Sequence, residues 1–129
     1  MLPNSPLAAN TRTLPPKPVV LCVSRDATVN SARVKAVAST GFAAAVASTA
    51  RDATDLLTSR SFAAVIVCST LTRAEQFAVA RLARLDYETP VIVVYDESVD
   101  PNIPADSRIP KDDAHRLVSA IRRLLQAAA

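Results

Sequence analysis

The 129-residue chain is one domain in size; half of it is apolar, and 15 basic residues against 12 acidic give a net charge of +3. One glycine cannot build a glycine-rich phosphate loop, and three phenylalanines, two tyrosines and no tryptophan leave no base-stacking platform for nucleic acid. No apolar run approaches the ~18 residues of a membrane span, and the proline-bearing start lacks the zones of a signal peptide, which points to a soluble, cytoplasmic domain with neither membrane nor nucleic acid as partner.

Residues 1–17, MLPNSPLAANTRTLPPK, mix proline, asparagine and threonine without apolar periodicity and read as a flexible lead-in. The folded domain is expected over 18–126, with a short tail at 127–129. Its first strand is PVVLCV, Pro18 to Val23. Asp26 then caps a helix running to about Thr40, and Gly41 stands where a left-handed C-terminal cap belongs. FAAAVA, Phe42 to Ala47, is the second strand. Thr49 with Asp52 forms a capping-box signal before Ala53, Leu56 and Leu57. AAVIVC, Ala63 to Cys68, is the third strand, and Thr72 with Glu75 repeats the box before a stripe of Ala74, Ala78, Leu82 and Leu85. PVIVVY, Pro90 to Tyr95, is the fourth strand, and a weaker fifth lies at Ser107 to Ile109. The last helix is the clearest: Ala114, Leu117, Val118, Ile121, Leu124 and Leu125 follow helical spacing, with Arg116, Arg122 and Arg123 off that stripe.

The first, third and fourth strands are nearly continuous in valine, isoleucine and leucine, the pattern of strands covered on both faces. Alternation of strand and helix with right-handed crossovers predicts an α/β fold, a doubly wound parallel five-stranded sheet. In such folds function sits at the carboxyl ends of the strands. The residues there are Ser24, Arg25 and Asp26, then Cys68, Ser69 and Thr70, then Tyr95 and Asp96, and Lys111 after the fifth strand. Cys22 and Cys68 lie in apolar runs, where a free cysteine acts as a small hydrophobe, and no CxxC or Cys/His spacing indicates zinc. His115 has no nucleophile partner and is expected on an exposed helix face.

The stretch Gly41 to Leu71, GFAAAVASTARDATDLLTSRSFAAVIVCSTL, together with Lys111 and the closing RLVSAIRRLL, resembles the receiver domain of two-component response regulators. The resemblance implies a flavodoxin-like (βα)5 fold with strand order 2-1-3-4-5. It also implies a phosphoacceptor aspartate ending the third strand, two acidic residues after the first that help hold Mg²⁺, a hydroxyl after the fourth, and a lysine. Against that pattern Cys68 stands at the acceptor position, Ser24 and Arg25 at the acidic pair with Asp26 one place late, and Tyr95 at the hydroxyl. Only Lys111 keeps its identity. Were Arg25 turned inward, 4 Å from a divalent ion at an effective dielectric near 20, repulsion would reach ~8 kcal/mol.

The expectation is therefore a degenerate, pseudo-receiver: a non-enzymatic interaction module of bacterial-type signalling, without aspartyl phosphorylation, metal or other cofactor. An alternative is an anion- or redox-responsive sensor using a basic crevice of Lys111, Arg25 and Cys68, with Cys22 as a resolving thiol. The blander expectations are that Lys111 pairs with Asp26, that Arg25 lies on solvent and that Cys68 is an inert core residue. Tyr95 is open to either an inward or an outward orientation. Only fifteen residues separate Tyr95 from Lys111, and Pro101 and Pro104 interrupt them, so the fourth helix of the fold is expected to be short or missing. A partner protein is expected, or a homodimer that avoids the fourth-helix face.

Overall fold

The structure is a computed structural model describing residues 18–128; the expected lead-in over 1–17 lies outside the described residues. The elements run β1 (Val19–Val23), α1 (Ala27–Ala38), β2 (Ala43–Ala47), α2 (Ala50–Ser59), β3 (Ala64–Cys68), α3 (Arg73–Arg81), β4 (Val91–Tyr95), β5 (Ser107–Pro110) and α4 (Ala114–Ala128). The five strands pair in parallel in the order β2-β1-β3-β4-β5, the doubly wound flavodoxin-like sheet. Helix α4 continues through Ala127 and Ala128, the first two residues of the expected tail.

Strand alternation builds two cores from one sheet. Leu21, Val23, Val65, Val67, Val91 and Val93 face α2 and α3, where Ala53, Leu57, Val79, Ala80 and Ala83 meet them. Val20, Cys22, Ile66, Cys68, Ile92 and Val94 face the other way, under Val37 of α1 and Leu117, Ala120 and Ile121 of α4. Covering both faces removes each β3 side chain from water. Full burial of one such side chain stabilises the fold by ~1.5–3 kcal/mol.

Local signals set the helix ends. The Asp26 carboxylate accepts from Thr28 N–H at 2.8 Å and Val29 N–H at 3.2 Å, capping α1. After α1 the chain reverses through Gly41 at φ +89°, a left-handed backbone that glycine adopts without a Cβ penalty. At α2 only half of the expected capping box forms, with Thr49 Oγ1 accepting from Asp52 N–H at 3.0 Å. At α3 the box is reciprocal: Thr72 Oγ1 accepts from Glu75 N–H at 3.1 Å, and the Glu75 carboxylate accepts from Thr72 N–H at 2.9 Å.

The stripe read for the third helix requires correction. Val79, Ala80 and Ala83 are buried against the sheet, whereas Ala74 and Ala78 are exposed and Leu85 is 58% exposed. A π-helical turn, Leu82–Asp86, follows α3. Its wider turn inserts a residue into the helical count and carries Leu85 off the packed face.

Between β4 and β5 no helix forms among the described residues; the segment 96–106 turns back on itself instead. Asp100 Oδ1 accepts from Asn102 N–H at 2.9 Å, and Ile103 N–H donates to Asp100 C=O at 3.2 Å. Ile103 is buried in the same core as Val91 and Val93, on the α2 and α3 side of the sheet.

Candidate functional site

The strand ends converge at one edge of the sheet, and the residues there are held by one another. Ser24, fully buried, donates its N–H to Ala47 C=O at 3.1 Å. Its hydroxyl lies 2.7 Å from that of Thr70, and Thr70 Oγ1 also accepts from Arg25 N–H at 2.9 Å. Asn30 of α1 donates to Ser24 C=O at 3.0 Å. These bonds tie the β1–α1 loop to the β3–α3 loop through neutral groups.

Arg25 points outward and pairs with Glu75 of α3. The Glu75 carboxyl is held below its ordinary range, first by the Thr72 N–H it accepts and then by Arg25. On the opposite side Lys111 Nζ lies 3.1 Å from Asp96 Oδ1. That hydrogen bond, followed by the Asp96 charge, raises the Lys111 ammonium above its usual value. The expected Lys111–Asp26 pair is thus replaced by Lys111–Asp96, because Asp26 is committed to the start of α1. In the alternative reading of a basic crevice, its two cations, Arg25 and Lys111, each carry a carboxylate partner.

Cys68 is buried at the end of β3. Burial pushes its thiol up, opposed by the charge and hydrogen bond of Arg33. Cys22, in register with Ile66 one strand away, is pushed up to about 12, by burial first and by Cys68 second. Both cysteines are free. Tyr95 is half-buried and lines a crevice with Ser69, Arg73, Asp96, Asp100 and Ile103. His115 is exposed on α4. Ser24, Cys68, Tyr95 and Lys111 therefore end up around the strand ends, while Asp26 serves as a helix cap and Arg25 as an outer clasp.

Three contributors escaped the sequence reading: Asn30, Arg33 and Glu75. Glu75 was visible only as a capping residue, and nothing in its spacing reports the reach to Arg25. Arg33 left a signal, since it sits four residues from both Val29 and Val37 and thus on the inward stripe of α1.

No family model matches the sequence, and no curated protein matches it. Solved structures do. A receiver domain of a Francisella response regulator superposes with a TM-score of 0.76 at 16% identity, covering 87% of this chain and 99% of that one. A CheY-like receiver domain protein from Methanospirillum hungatei JF-1 gives 0.75 at 18%, covering 86% and 95%. An orphan response regulator of H. pylori gives 0.70 at 22%, covering 86% and 99%. Likenesses at this identity speak to architecture, and with the 2-1-3-4-5 sheet they show that the chain has the fold of response regulator receiver domains.

Proposed function

We propose that the protein is a pseudo-receiver: a cytoplasmic signalling module that works by binding another protein, without aspartyl phosphorylation, Mg²⁺ or enzymatic turnover. The observation that carries this reading is Cys68, a buried thiol raised by burial, at the strand end where the resemblance calls for a phosphoacceptor carboxylate. Transfer of a phosphoryl group to that position would need an ionised, accessible acceptor, and Cys68 is neither. The neighbouring donors do not suit Mg²⁺, which takes near-octahedral oxygen shells that usually include carboxylates. Asp26 is engaged by two backbone N–H groups, Ser24 and Thr70 satisfy each other, and Asp96 is paired with Lys111.

The sensor alternative finds less support. A reactive thiol needs thiolate character and access, and Cys22 and Cys68 lack both, while the two cations that would hold an anion are already paired.

The test is incubation of the chain with acetyl phosphate and Mg²⁺ followed by intact-mass measurement. The mass is expected to stay unchanged. A gain of one phosphoryl group on an acidic residue overturns the proposal.

A further inference from the structure

We infer that the outer edge of β2 is a contact between two copies of this chain, whose β2 strands pair antiparallel about a two-fold axis at Ala45. The inference goes beyond the pseudo-receiver reading and stands on the sheet alone, independently of Cys68.

Strand β2 pairs only with β1, so its other side is open. Ala43 N–H donates to Pro18 C=O at 3.1 Å, and Ala47 C=O accepts from Ser24 N–H at 3.1 Å. With Val19 opposite Ala43 and Val23 opposite Ala47, the parallel ladder turns the backbone groups of Ala43, Ala45 and Ala47 towards β1. Those of Ala44 and Val46 point out of the sheet. Two such edges complement each other. When Ala44 of one copy stands opposite Val46 of the other, each pair exchanges both of its N–H···O=C bonds, and the Ala45 residues meet on the axis as the non-hydrogen-bonded pair.

The sequence leaves this edge unguarded. Open strand edges are ordinarily blocked by charge, proline, a bulge or a covering element. The opposite edge, β5, carries Arg108 and Pro110, whereas no charged residue or proline occurs from Ala36 to Ala50, a stretch that holds the whole of β2. Beside the edge runs a groove between α1 and β2, where Ala27, Asn30, Ser31 and Val34 face Val46, itself 44% exposed. Asn30 is buried, and its Oδ1 has no donor. Donors lie on the same patch: Ser31, Lys35 and Ser48 line the groove and are exposed, and Lys35 forms no ion pair among the described residues. Acceptor and donors on one patch are what a self-complementary, two-fold contact requires. An unrelated strand would use the edge bonds without bringing the α1 donors. About ten residues per copy take part, against roughly 20–30 in a standard interface, which sets the affinity in the micromolar range.

Sedimentation velocity of the full chain across the micromolar range is expected to pass from monomer to dimer, and hydrogen exchange at the Ala44 and Val46 amides should slow over the same range. Val46→Lys, which guards the edge with charge, should weaken the dimer about tenfold or more, its fold being checked by circular dichroism. Ala45→Cys treated with diamide should give a disulfide-linked dimer, because the Cα atoms of a non-hydrogen-bonded antiparallel pair lie ~4.5 Å apart, within the span of a disulfide. Ser48→Cys, away from the axis, should not, nor should the wild-type chain with its buried thiols. A monomer at every concentration overturns the inference, as do a dimer that natively folded Val46→Lys leaves unchanged and cross-linking through Ser48→Cys but not Ala45→Cys. Should Val46→Lys fail to fold, the Ala45→Cys cross-link decides. Amides protected at all concentrations in a monomer mean that another segment of this chain covers the edge, which also overturns it.

Discussion

Cys22 and Cys68 lie on the same face of the sheet beneath α1 and α4, and the energetics of each thiol follow from that position. A thiol whose folded titration is raised contributes its full stability below the unfolded value, here about 9, and loses it as pH rises towards about 12 for Cys22. Above pH 9 the unfolded chain releases a proton that the folded chain keeps. The wild-type chain should therefore shed about 1.4 kcal/mol per pH unit from this residue. Urea unfolding of wild type and Cys22→Ala at pH 8, 9 and 10 checks it: the stability gap between them should narrow above pH 9, and a constant gap refutes the assignment. The burial of these thiols was legible, because apolar runs surround both. Arg33 beside Cys68 was not, because an arginine on an apolar stripe reads equally as a snorkelling side chain.

At the scale of elements, the helix starts were the most legible feature and the faces of helices the least. Caps depend on residues three apart, such as Thr72 and Glu75, and these contacts form within a single turn. Facing depends on what the whole sheet presents, and the π-helical turn after α3 shifts Leu85 outward in a way no local count reveals. The α3 capping box has a second duty, since Glu75 also holds Arg25. Removing its hydroxyl through Thr72→Ala should cost about 1 kcal/mol, seen as a lower thermal midpoint, with Thr72→Ser close to wild type. Equal midpoints for the alanine variant and wild type would show that the box contributes nothing to α3.

For the whole molecule, the parallel sheet followed from runs of valine and isoleucine, its strand order from the resemblance to receiver domains, and the missing helix between β4 and β5 from the short, proline-interrupted stretch between Tyr95 and Lys111. The pairing of charges at the strand ends did not. Lys111–Asp96 and Arg25–Glu75 join loops from different crossovers, and only the closed sheet decides which carboxylate comes within reach. The short β4–β5 connection also shifts a structural duty onto one side chain. Ile103 is buried in the same core as Val91 and Val93. Ile103→Ala should destabilise the domain by about 2–3 kcal/mol, at the lower end for such truncations because a loop can settle into the space. Urea midpoints report it, and a loss under ~0.5 kcal/mol would mean that the loop does not seal this face.

The reversal at Gly41 has a stereochemical consequence. Its backbone sits at φ +89°, and a Cβ built there would meet no atom within 4 Å. The objection to any larger residue is therefore one of handedness rather than of room. A residue of the opposite chirality, introduced by chemical ligation, is at ease at this φ and would restrict the unfolded chain in the bargain, an effect of ~0.4–1 kcal/mol for compatible glycine replacements. The chain's solitary glycine thus marks a place where a mirror-image amino acid suits the fold better than any of the other natural ones.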